Sequence, residues 1–133
     1  GAWERDPQGY YLGGNQMAMT PRSLHAFGEL YRRGGLTGDG TRLISEAWIR
    51  ESWVQRTNSV FNGDGYGYAW FLKDMAGERV NYAWGYGGQM LYIVPGIDLT
   101  VTMTSNEAAP SARTGYRDEL HALVTDMIEA VKA

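Results

Sequence analysis

Between Trp84 and Met90 the chain reads Gly85-Tyr86-Gly87-Gly88-Gln89. Residues of these types support one kind of chemistry without any reactive side chain. Glycine on a strand lets another group come close to the backbone, and an exposed strand-edge N–H can stabilise a developing oxyanion. The same residues also make an ordinary tight hairpin with glycines at positive φ. Pattern alone leaves both open. A phosphate loop is excluded, because no lysine-Ser/Thr pair ends the run and a strand, not a helix, follows it.

Other candidates for chemistry are sparse. His25 and His121 are far apart, and neither has a second histidine or a carboxylate at metal-ligand spacing, so both read as surface or packing residues. Asp64, Asp74, Glu78 and Asp98 sit near turns and read as solvated carboxylates, with nothing to make two of them an acid–base pair. There is no cysteine, which removes thiolate chemistry, disulfides and cysteine–zinc sites. Nothing in the chain calls for a cofactor or a metal.

The elements around the glycine run follow from local signals. An irregular lead-in covers 1–19, with turn signals at Asp6-Pro7-Gln8-Gly9 and Gly13-Gly14 and a short strand near Tyr10 to Leu12. Thr20 caps a helix with Pro21 at its first position. Leu24, Phe27, Leu30 and Tyr31 share one face of it, and Gly34-Gly35 ends it. Ser45 caps a second helix over about 46–54, with Trp48, Ile49 and Trp53 as its buried members. Tyr66, Tyr68, Trp70 and Leu72 alternate with small residues and predict a strand with one bulky face. Further strands are expected at 80–84, 90–94 and 99–104, the last two split by Pro95-Gly96. Short connections favour antiparallel pairing. The final helix carries Leu120, Leu123, Val124, Met127, Ile128 and Val131 at the spacing of one buried face. The expected fold is α+β: an antiparallel sheet of three to four strands covered by helices.

The 133 residues fit one domain over 1–133 with a moderate core. A net charge of −3 offers no general attraction to nucleic acid, and the basic groove that single-strand binders need is missing. No apolar run reaches the roughly 18 residues that span a bilayer. No signal peptide is visible, and both periplasm and cytoplasm are compatible with the chain. The 18 glycines, 9 tyrosines and 5 tryptophans fit tight turns, a half-buried sheet and an aromatic cleft. Tyr66, Tyr68, Trp70, Tyr82 and Trp84 are the candidates to line such a cleft and hold an apolar or sugar-like ligand.

Four segments in order, "GGNQMAMTPRSLHAFGELYRRGG", "SEAWIRESW", "GYGYAWFL" and "WGYGGQMLYIVPGIDLTVTMTSN", resemble the C-terminal part of the serine β-lactamase-like family. That family includes class C β-lactamases, DD-peptidases, esterases of the β-lactamase fold and 6-aminohexanoate-dimer hydrolases. The resemblance runs from about Trp3 to the final helix and implies an incomplete β-lactamase/transpeptidase-like fold. It places the family's third catalytic motif, a strand triplet often written Lys-Thr-Gly or His-x-Gly, on Ala83-Trp84-Gly85. It gives Tyr86 an oxyanion-hole N–H, with Gly87, Gly88 and Gln89 beside a small ester or amide ligand. The basic residue of the triplet is replaced by Ala83, which argues against penicillin-type carboxylate recognition there.

The family's nucleophile is the serine of Ser-x-x-Lys, and its helper is the tyrosine of Tyr-x-Asn. Three places after Ser23, Ser45, Ser52, Ser59, Ser105 and Ser111 stand Ala26, Trp48, Gln55, Asn62, Ala108 and Thr114. No tyrosine has asparagine two positions on. An activated serine needs its base within hydrogen-bond reach, so the chain alone is expected to be inactive, the C-terminal portion of a serine hydrolase. The alternatives are a stand-alone binding or assembly module that keeps the scaffold, or one half of a two-chain enzyme. A missing N-terminal segment would leave a sheet edge open and apolar faces uncovered, which predicts self-association.

Overall fold

The computed structural model describes residues 2–106, 108 and 115–133. Among these residues three α-helices and six strands follow in the order α1 (Pro21–Arg32), α2 (Glu46–Ser52), β1 (Thr57–Asn58), β2 (Gly65–Tyr66), β3 (Phe71–Met75), β4 (Glu78–Gly85), β5 (Gln89–Val94), β6 (Leu99–Met103) and α3 (Tyr116–Lys132), with a 3-10 turn at Pro95–Ile97 between β5 and β6. The six strands form one antiparallel meander in sequence order, two strands beyond the upper count expected. Strands β1 and β2 have two residues each and carry almost no periodic signal.

Alternation along the strands divides the sheet into two apolar faces. Val80, Tyr82, Met90, Tyr92 and Val94 pack with Leu120, Val124 and Ile128 of α3. Leu72, Leu91 and Ile93 turn the other way and pack with Trp70, Tyr31 of α1 and Ile49 of α2. The sheet is therefore covered on both sides, and each large aliphatic side chain buried there contributes about 1.5–3 kcal/mol.

The caps lie where the sequence puts them. Thr20 Oγ1 accepts from the Ser23 N–H at 3.2 Å, and Ser45 Oγ accepts from the Trp48 N–H at 3.1 Å. Gly35 ends the first helical unit at φ +91°, where an added Cβ would lie 1.8 Å from the Ile44 carbonyl oxygen, so no other residue fits.

Several expectations are corrected. The strand read through Tyr66 to Leu72 is broken at 67–70, with Ala69 at φ +65°, so its bulky residues do not share one face. Trp48 and Phe27 are exposed, because α1 and α2 meet the sheet along narrower stripes than their apolar residues mark. On α3, Leu123 and Val131 are exposed and His121 is buried, so the contacting stripe is rotated toward Leu120, His121, Val124 and Ile128. Among its described residues the lead-in has no strand. It folds on itself through single bridges, Trp3 with Met17 and Arg5 with Tyr11, and Trp3 stacks on Tyr11 at 4.7 Å.

Candidate active site at the glycine turn

Strand β4 ends at Gly85, which pairs with Gln89, so Tyr86, Gly87 and Gly88 form the turn into β5. Gly87 and Gly88 have φ of +80° and +91°. A side chain at Gly88 would be strained in that conformation. Its Cβ would also stand 2.8 Å from the Tyr116 ring and 3.0 Å from Ser105 Oγ. The close packing of α3 and the end of β6 behind the turn therefore requires glycine.

Gln89 holds this arrangement together. Its Nε2 donates to the Ser105 carbonyl at 2.6 Å and its Oε1 accepts from the Ser105 N–H at 3.2 Å. Ser105 Oγ donates to the Gly88 carbonyl at 3.1 Å and lies 3.0 Å from the Tyr116 hydroxyl. The Gln89 amide is thus engaged with backbone, and it positions the turn.

Strand β4 runs past β3. The last pair between them is Phe71 with Tyr82, while Ala83, Trp84 and Gly85 continue to pair with Leu91, Met90 and Gln89 of β5. Among the described residues, these three are paired on one side only. This open backbone edge leads directly into the turn. Ala83 faces α1 and α2, and Trp84 faces α3. The Arg117 guanidinium lies 4.5 Å from the centre of the Trp84 ring, and Phe61 meets that ring edge-on at 6.3 Å. Tyr86 is 59% exposed.

Below the edge lies a polar cluster. The Tyr82 hydroxyl donates to Asp64 Oδ2 at 2.6 Å and accepts from Asn62 Nδ2 at 2.8 Å, and Lys73 Nζ reaches Asp64 Oδ1 at 3.1 Å. Burial first, and then the Asp64 carboxylate, push the Tyr82 phenol well above its ordinary pKa. Asp64 is not the solvated turn carboxylate expected from its Asn-Gly-Asp-Gly setting, since its side chain is 12% exposed and fully engaged. The sequence locates the turn, but nothing local announces a tyrosine partner 18 residues on.

The proposed aromatic cleft does not form. Trp70 is buried on the α1 face and Tyr82 on the α3 face, and Tyr68 lies outside, stacked on Trp48 at 5.5 Å. The histidines are likewise separated by the sheet. His25 Nδ1 lies 3.1 Å from Thr102 Oγ1 on one side, and His121 Nδ1 lies 2.9 Å from the Tyr92 hydroxyl on the other. Among the described residues no group of three or more acidic or histidine side chains is placed to hold a metal. Among the described residues no helix is long and apolar enough to cross a membrane.

Ser105 is the described serine that packs against the turn, and its hydroxyl meets a carbonyl and a phenol. Ser52 is buried and donates to the Ile49 carbonyl, while Ser23 and Ser45 lie at helix starts. Ser111 lies outside the described residues. A cavity of about 990 Å³ is present elsewhere, between α1, the 36–43 segment and β6, bordered by His25, Phe27, Leu30, Thr100 and Thr102.

A family model described as Beta-lactamase matches residues 1–126. No curated protein matches the chain at a significant level.

Proposed function

Since the chain belongs to the beta-lactamase family, we propose that it is the C-terminal portion of a serine hydrolase that cleaves an ester or amide through an acyl-serine, and that it supplies the oxyanion side of the site and not the nucleophile. The observation that carries this reading is the open edge of Ala83–Gly85 running into the Gly87-Gly88 turn. An extended ester or amide laid along that edge brings its carbonyl to the turn, where the Tyr86 N–H is the candidate donor. Trp84, Gly87 and Gly88 border the carbonyl, and Gln89 fixes the turn by clamping Ser105. Preorganised donors are effective because they need no reorganisation when charge develops.

The other half of the chemistry is a serine with its base, and Ser-x-x-Lys and Tyr-x-Asn do not occur in these 133 residues. Nucleophile and base act as a unit, and their loss removes most of the rate. Purified chain mixed with a chromogenic ester is expected to show neither burst nor turnover above solvent. Burst kinetics from the isolated chain would overturn the reading.

A second reading is a non-catalytic assembly module, or one half of a two-chain enzyme. It is favoured by the cavity between α1 and β6, which is lined by the terminal strand of the sheet and lies apart from the glycine turn. Restoration of esterase activity on adding a chain that carries Ser-x-x-Lys would select the two-chain form.

A further inference from the structure

Two apolar side chains stand in solvent on a segment that is otherwise firmly held. Val60 is 93% exposed and Phe61 75%. The segment between β1 and β2 closes on itself. The Ser59 N–H donates to the Asp64 carbonyl at 2.8 Å, the Gly63 N–H to the Ser59 carbonyl at 2.9 Å, and Asn58 Nδ2 to the Gly63 carbonyl at 2.9 Å. Asn62 and Asp64 then fasten it to the Tyr82 hydroxyl on β4. The backbone at Phe61 is therefore held by hydrogen bonds, its own N–H donating to Ser59 Oγ at 3.1 Å, and not by burial of the ring.

A single exposed apolar residue needs no explanation. An adjacent pair fixed in water beside a site does. Phe61 meets Trp84 edge-on, at 6.3 Å and 80°. Trp84 belongs to the edge that β3 leaves open beyond Tyr82. The loop tip thus stands next to the strand on which the ligand of the proposed function would lie, and neither tip residue carries charge.

Resting on that proposed acyl-transfer reading, we infer that Val60 and Phe61 form the apolar lip of the ligand site and that they select esters or amides with an uncharged apolar substituent over short polar ones. With the carbonyl at the glycine turn, the substituent extends along Ala83–Gly85 toward Phe61. Burial of its methylenes against the Phe61 and Trp84 rings supplies the preference. The loop backbone that carries the ring is held beforehand, so less ordering cost opposes binding.

The test titrates isotope-labelled chain with N-methylacetamide and with N-methylhexanamide while following the amide resonances of Gly85, Gly87 and Gly88. Both probes are expected to shift the turn, with the hexanamide binding roughly tenfold more tightly. Phe61→Ala is expected to remove the preference, and Phe61→Leu to restore most of it. Equal affinity for the two amides, or a preference that survives Phe61→Ala, overturns the lip and leaves the turn as a ligand wall. If neither amide moves the turn, the acyl-transfer reading fails and the lip fails with it. Shifts at Val60 and Phe61 that grow with protein concentration, without amide, would assign the patch to a second copy of the chain and also overturn the lip.

Discussion

The Tyr92 hydroxyl and His121 Nδ1 lie 2.9 Å apart, joining the centre of the sheet to the helix that covers it. Tyr92 is fully buried and His121 nearly so, and the imidazole also meets the Tyr82 ring edge-on at 4.9 Å. Arg117 and Lys73 oppose a charged imidazole, and Asp64 and Asp118 favour it. Burial outweighs them all and lowers the His121 pKa from its ordinary 6.5 to about 4.

That shift predicts an acid weakness with a defined sign. Below pH 6.5 the unfolded chain binds a proton that folded His121 refuses, so stability is complete above 6.5 and falls as pH drops toward 4. The full loss is on the order of 3 kcal/mol. Glu29, held down to about 2 chiefly by the Arg32 guanidinium, stays charged through this window and weakens the fold only at lower pH, as it falls from 4.5 toward 2. Urea melts between pH 7 and pH 4 should show the decline in the native chain and a flatter profile in His121→Phe. Equal slopes would contradict the assignment.

Gly88→Ala should destabilise the chain by about 1–3 kcal/mol, since it combines a left-handed backbone with a contact of 2.8 Å on Tyr116. Gln89→Ala should cost about 1–3 kcal/mol by leaving the Ser105 N–H and carbonyl without their clamp. Hydrogen exchange gives a sharper signature than melting temperature. Protection should fall at the glycine turn and at the end of β6 together, and loss at only one of them would deny the coupling.

Among the described residues strand β6 ends the sheet order and pairs with β5 alone. Its residues Leu99 to Met103 are uncharged, β-rich and half-exposed, which is the composition of an adhesive edge. Sedimentation at increasing concentration should therefore reveal association, and Val101→Lys should suppress it with the helical signal intact. A native chain that stays monomeric at high concentration would refute this.

Local rules made some of the molecule legible in advance. Thr20 and Pro21 mark the start of α1 because capping needs only neighbours in sequence, and β4, β5 and β6 show through apolar runs bounded by glycine or proline. The α3 stripe was half legible. Leu120, Val124 and Ile128 are buried as their spacing requires, but the sheet offers a narrower contact than the helix offers apolar residues, so Leu123 and Val131 stay outside. The break at 67–70 hides behind good alternation, because a single Ala69 at positive φ resets the faces. Around the glycine turn the residues of β4 and β5 were legible and their supports were not. Asp64 under Tyr82, Arg117 over Trp84 and Ser105 in the grip of Gln89 are side-chain partners brought together by tertiary packing from distant segments, and no periodicity encodes them.

The central claim is that this scaffold presents an oxyanion turn without a serine able to attack. Intact-mass measurement after incubation with a fluorophosphonate tests it most directly. The predicted result is unmodified chain. A stoichiometric adduct, mapped to Ser105 or any other serine of the 133 residues, would contradict it.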